Sequence, residues 1–187
     1  MDERRRQLLD LGAALFTRQG YEELSMAKIA RAAGISKALL YHYFPSKQAY
    51  FGATLEQAAA ELAATTQPDP ELPPVEQLST SLDAYLRWVE RHAGAYQKLI
   101  TSVGAVPEVR ALVERVREET ADRILAGIAP DRAPPLLRAA VRGWMWFVDG
   151  AILDWLEHRD LDRARLHGLL LGTLLGAVTA AGEPLSR

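Results

Sequence analysis

The chain contains no cysteine, which excludes disulfides, thiolate zinc sites and a cysteine nucleophile. β-Branched aliphatic residues are scarce: Ile and Val together number 16, against 58 for Ala and Leu. That balance favours helix over sheet. Leu166 to Gly182 is free of formal charge, but it spans only 17 residues and includes His167 and two threonines. A helix crossing a bilayer needs about 20 apolar residues. The opening MDERRRQLLDLG lacks the apolar core of a signal peptide. The expectation is a soluble intracellular protein with no membrane partner. Catalytic motifs are missing too. The four histidines (42, 92, 158, 167) form no HExxH, and no Gly-rich phosphate loop or nucleophile elbow is present. Asp154 and His158 are four apart, but surface residues at a helix end explain them better than a metal does. No metal, no cofactor and no enzyme activity are expected.

The 187 residues suffice for one domain or two small ones, and 49% are apolar, enough to build a core. The net charge of −2 is unevenly spread. Residues 1–50 hold eight Lys/Arg and five Asp/Glu, whereas residues 51–187 hold 14 and 19. Such asymmetry hints that one end meets a polyanion.

Prolines mark the joints, and every segment between them reads as helix. Residues 4–18 place Leu8, Gly12, Leu15 and Phe16 on one face, and Gly20 supplies a stop. Short helices follow at 26–33, closed by Gly34, and at 37–44, ended near Pro45. A longer helix covers 47–65. PDPELPP (68–74) is the clearest linker. Beyond it, helices are expected at 75–92, 94–103, 108–128, 135–157 and 163–181. The fold class is all-α with about nine helices and no strand. A three-helix helix-turn-helix unit at 1–46 precedes a larger helical domain at 47–187.

Helix starts carry the strongest signal. An N-terminus bears partial positive charge, so Asp and Glu are favoured there and Lys is not. Three starts depart from this rule. Ser25 caps a helix whose third residue is Lys28, while Ser36 and Ser46 cap helices that begin with Lys37 and Lys47. Each such lysine costs about a few tenths of a kcal/mol unless an external anion meets dipole and ammonium together. A row of phosphates is the obvious anion. A short helix, a turn with Gly34 and a second short helix then make a helix-turn-helix.

The stretch SKALLYHYFPSK (36–47) sorts its rings by helical phase. Leu40, Tyr43 and Phe44 share one arc and should pack inward. Lys37, Ala38, Tyr41 and His42 share the opposite arc, with Leu39 on the border. Outward Tyr and His can hydrogen-bond phosphates or bases, and Ala can touch a thymine methyl.

Residues 8–47 resemble the TetR family of bacterial transcriptional regulators. The landmarks are Phe16, Gly20-Tyr21, Ser25, Ile29-Ala30, Ala33-Gly34-Ile35-Ser36, Leu40-Tyr41-His42-Tyr43-Phe44 and Lys47. The resemblance implies a cytoplasmic, nucleoid-associated homodimer that binds a palindromic double-stranded operator. Family members are usually repressors, released by a small molecule bound in the C-terminal domain. Matched residue by residue, Ser25 and Lys28 would meet phosphates. Ser36, Lys37, Ala38, Leu39, Tyr41 and His42 would lie on the recognition helix, and Lys47 would hold a phosphate. Leu39 departs from the Thr or small residue of many relatives.

In the C-terminal region, Gly168, Gly172, Gly176 and Ala180 recur every four residues, a stripe that lets another helix approach closely. Helix 135–157 is apolar on two sides. Leu137, Val141, Trp144, Val148, Ala151 and Trp155 follow one side, and Trp146, Gly150 and Leu153 the other. A helix apolar on two sides is buried on two sides. The candidate dimer interface is therefore Trp146, Asp149, Gly150, Leu153, Gly168, Gly172 and Gly176, where Asp149 is expected to pair with an arginine such as Arg142 across the dimer, the alternative being recognition of a cationic ligand. Tyr85, Trp88, His92, Tyr96, Trp144, Phe147 and Val148 are candidate lining for a pocket that takes a flat, apolar effector. The alternatives are a DNA-binding regulator without an effector, and a helical small-molecule-binding protein.

Overall fold

A computed structural model describes residues 3–19, 21–129, 131 and 133–182. Among these, every regular element is a helix: α1 (Glu3–Gln19), α2 (Met26–Ala32), α3 (Lys37–Tyr43), α4 (Lys47–Thr65), α5 (Pro74–Arg91), α6 (Ala93–Thr101), α7 (Pro107–Ile128), α8 (Pro135–His158) and α9 (Arg163–Ala180). These nine coincide with the segments expected from proline spacing and apolar periodicity. The stop expected at Gly20 lies outside the described residues.

Local chemistry explains the ends. Pro74 and Pro135 open α5 and α8, where the missing N–H is no loss. The side chain of Asp162 caps α9 by accepting from the Arg165 N–H at 2.8 Å. The close of α2 is a two-bond C-terminal motif: Ile35 N–H donates to Ala30 C=O at 3.0 Å and Gly34 N–H to Arg31 C=O at 3.2 Å. Gly34 holds φ at 64°, which a side chain would resist.

The chain forms two compact units. One is Met1–Glu61 with Gly94–Leu112, and the other is Leu62–Ala93 with Val113–Arg187. The first is organised by α1 and α4. Leu8, Leu9, Gly12 and Phe16 are buried on α1, and Tyr50, Phe51 and Thr54 on α4. Tyr50 Oη donates to Leu8 C=O at 2.5 Å, and burial pushes the phenol pKa upward. A Cβ on Gly12 would lie 2.6 Å from Thr54 Oγ1 and 2.7 Å from Tyr50 Oη, so the two helices approach as closely as they do only because residue 12 has no side chain. Phe16 packs edge-on to Phe51, with ring centroids 4.5 Å apart.

The second unit is built on α8 and α9, with α5 against α9. Leu137, Val141, Trp144, Val148, Ile152 and Trp155 are buried on α8, and Leu166, Leu170, Leu174 and Val178 on α9. Trp144 Nε1 donates to Leu170 C=O at 2.9 Å and Trp155 Nε1 to Leu161 C=O at 2.9 Å, so both indole N–H groups are satisfied. Arg163 at the start of α9 donates to Asp83 and Glu90 of α5, at 3.2 and 2.8 Å.

Candidate nucleic-acid interface

The helix-turn-helix comprises α2, the Gly34 turn and α3. Both helices are capped as their serines suggest. Ser25 Oγ accepts from Lys28 N–H at 3.3 Å and Ser36 Oγ from Leu39 N–H at 3.1 Å. Ser46 does the same for α4, accepting from Ala49 N–H at 3.0 Å. No acidic residue occupies the first turn of α2, α3 or α4. The positive ends of these helices therefore have no carboxylate of their own.

Inward and outward arcs of α3 separate as the phase argument requires. Leu40 is fully buried, Phe44 is 2% exposed and Tyr43 is half-buried. Phe44 meets Tyr50 edge-on at 4.9 Å, and the Arg5 guanidinium lies 5.2 Å from the Phe44 ring centroid. Ser36, Lys37, Ala38, Leu39, Tyr41 and His42 are all exposed. Lys37 Nζ stands 5.7 Å from the Tyr41 ring, so the two share one margin of the outer arc. Leu39 joins the exposed side at 40%.

Two of the lysines have partners that the sequence did not show. Lys28 Nζ donates to Glu23 C=O at 2.8 Å while remaining exposed. Lys47 is half-buried. Its ammonium donates to Tyr21 C=O at 3.0 Å and lies 4.0 Å from the Tyr21 ring centroid. An ammonium has three donors, so either lysine can still turn one toward an anion. For Lys47 that donor comes from a group already tying α4 to the turn after α1. Burial, followed by the charges of Glu108 and Glu22, raises the pKa of the Tyr21 phenol and keeps it neutral beneath the lysine.

The candidate interface of the second unit divides by exposure. Trp146 is 63% exposed, Leu169 50% and Leu136 62%. Gly150, Gly168, Gly172 and Gly176 are exposed, and a Cβ built on any of them meets nothing within 4 Å. Leu153 is half-buried. Within the chain Asp149 meets Arg117 of α7, whose Nε and Nη2 donate to Oδ2 at 2.8 and 2.5 Å. Arg142 instead lies 3.8 Å from Asp122. The Arg117 guanidinium also sits 4.1 Å from the Trp146 ring centroid.

The candidate effector residues differ in burial. Trp88 is buried, with the half-buried His92 ring 4.5 Å away, and His92 Nδ1 is 2.8 Å from Trp88 C=O. Tyr85 is half-buried on the same helix. Trp144 and Val148 are buried on the core side of α8, whereas Phe147 is 41% exposed on the other, because neighbouring positions are rotated by about 100°. Tyr96 is buried within the other compact unit. No helix among the described residues is long and apolar enough to cross a membrane. No cluster of three or more metal-ligating side chains occurs among them.

Comparison with known proteins bears on the whole arrangement. Residues 8–54 match the family model described as bacterial regulatory proteins, tetR family. Residues 74–176 match that of the tetracyclin repressor-like C-terminal domain. A solved tetR-family transcriptional regulator from Streptomyces coelicolor is 30% identical, with a TM-score of 0.84 over 97% of this chain and 83% of that one. Among curated proteins, the HTH-type transcriptional repressor KstR of Rhodococcus jostii is 27% identical, over 93% of this chain and 84% of its own length. The HTH-type transcriptional activator FasR of Mycolicibacterium smegmatis is 29% identical over 70% of this chain, and the match spans 61% of the activator's length.

Proposed function

The chain belongs to the tetR family of bacterial regulatory proteins, and on that premise we propose that it is a cytoplasmic homodimeric repressor without catalytic activity. It binds a palindromic operator through the helix-turn-helix, and an apolar or aromatic effector releases it. Residues 1–46 serve as the DNA-binding domain and 47–187 as the effector and dimerisation domain. The observation that carries the DNA reading is α3, whose inner arc is buried and whose outer arc exposes Lys37, Ala38, Leu39, Tyr41 and His42 behind a serine-capped start without a carboxylate. Ser25, Lys28, Ser36 and the remaining donors of Lys47 hold phosphates around it.

Dimerisation through α8 and α9 is supported by the exposed Trp146 and Leu169 beside open glycine positions. Two copies would read half-sites about 34–36 Å apart, or a multiple of that spacing. Effector binding rests on Tyr85, Trp88, His92, Tyr96, Trp144, Phe147 and Val148. A regulator lacking an effector is the second reading. It is favoured by Trp144, whose indole is fixed to α9.

The test is a gel shift with a duplex selected from a random library by the wild-type chain. Tyr41→Ala should lose specific binding with its circular dichroism unchanged. Wild-type affinity in that variant would sink the assignment of α3. Release of the duplex by no apolar compound, with DNA binding intact, would favour the effector-free reading.

A further inference from the structure

The outer arc of α3 has an unusual centre. Advancing about 100° per residue places Ala38 near the middle, with Tyr41 and His42 close on either side and Lys37 and Leu39 at the margins. The middle of such an arc is what reaches the floor of a groove. Here it ends in a methyl group. Leu39 adds a branched apolar side chain, 40% exposed, whose backbone N–H is already taken by Ser36 Oγ. Neither side chain can donate or accept a hydrogen bond. Lys37 cannot substitute at the centre without leaving the margin it shares with the Tyr41 ring. In the major groove the bases offer one prominent apolar feature, the C5 methyl of thymine.

Resting on the DNA reading above, we propose that Ala38 and Leu39 determine specificity by recognising thymine methyl groups, so that each half-site places thymines against them. Tyr41 and His42 supply the hydrogen bonds to neighbouring bases or phosphates. Sequence choice is then set by apolar contact from Ala38 at the centre of the arc and Leu39 at its margin, and by hydrogen bonding from Tyr41 and His42 on either side of Ala38.

The experiment uses the duplex selected by the wild-type chain and replaces each thymine in turn with deoxyuridine. This removes the methyl and leaves pairing and the O4 acceptor intact. One or two positions per half-site should lose about fourfold in affinity, the worth of one buried methyl. At one of them Leu39→Ala should bind thymine and uracil equally. Alanine is the better helix former, so this variant keeps α3 folded. Uracil bound as tightly as thymine everywhere, while cytosine at the same positions weakens binding, overturns the proposal. Sensitivity to the methyl that survives unchanged in both Leu39→Ala and Ala38→Gly overturns it as well. A wild-type chain that selects no sequence fails the DNA reading itself, a different result from selecting one that is indifferent to methyl groups.

Discussion

Two exposed faces of this chain differ in almost every respect. The outer arc of α3 spans seven helical residues and mixes a lysine, two hydrogen-bonding rings and two small apolar groups. The exposed side of α8 and α9 runs along helices of 24 and 18 residues and offers Trp146, Leu169 and a row of glycines. A surface of the first kind suits a polyanion with a patterned floor, where charge gives affinity and a few side chains give choice. The second kind gains little from water and suits close approach of another helix. The difference teaches that exposure alone does not mark a site. The chemistry of the exposed groups says what should cover them.

Each face depends on buried scaffolding, which gives the largest expected effects. Asp149 and Arg117 have side chains only 13% and 11% exposed. Asp149→Ala would leave the guanidinium uncompensated under Trp146 and should cost about 3–5 kcal/mol in urea unfolding. A cost below ~1 kcal/mol would mean that solvent reaches the pair, and the anchoring of Trp146 would fall with it. In the first unit, Gly12→Ala drives a Cβ against Thr54 and Tyr50. It should destabilise by about 1–3 kcal/mol, an overpacking cost that thermal unfolding would register. A neutral result would deny the close approach of α1 and α4.

Substitutions on the faces themselves should leave stability nearly alone. Tyr41→Ala should weaken specific DNA binding by at least about tenfold, the consequence of losing one good contact, while unfolding changes by less than ~0.5 kcal/mol. Gly172→Ala separates the second face from the first. Its Cβ meets nothing within the protomer, so the isolated chain should gain up to about 1 kcal/mol of helix stability. The dimer proposed through α8 and α9 should dissociate more readily in a sedimentation dilution series. An unchanged dimer would move the interface elsewhere.

The smallest effect belongs to His158. Its Nδ1 lies 3.1 Å from Asp154 C=O. That backbone hydrogen bond, followed by the Asp154 charge, raises the His158 pKa above its ordinary value of 6.5. A raised folded-state pKa means the contribution is fully present below the ordinary histidine value. It is lost as pH rises through the raised one. Melting temperature across that window should fall slightly more for wild type than for His158→Gln. Parallel curves would remove the histidine from the account.

The helices were legible because proline, glycine and capping serines punctuate them locally. Phase alone separated Leu40 and Phe44 from Tyr41 and His42, since α3 is short and packs on one side only. Three features were not legible, all for the same reason. Lys47 meets Tyr21 from 26 positions away, Arg117 meets Asp149 from 32, and Gly12 admits Tyr50 and Thr54 from another helix. Periodicity gives the face on which a residue lies, but not which residue of another helix stands opposite. The effector candidates differ in burial on the same ground. Trp144 and Phe147 are both aromatic and nearly adjacent in sequence, yet one is spent on α9 and the other is exposed.

The most direct test of the central claim, that the outer arc of α3 reads DNA, is a fluorescence anisotropy titration of the selected duplex at rising salt. Wild type and Tyr41→Ala would be compared side by side. Wild-type affinity should fall steeply and log-linearly with salt, as phosphate contacts require. Tyr41→Ala should bind the selected duplex at least about tenfold more weakly at every salt concentration. A flat salt profile, or equal specific affinity for the two proteins, would contradict the account.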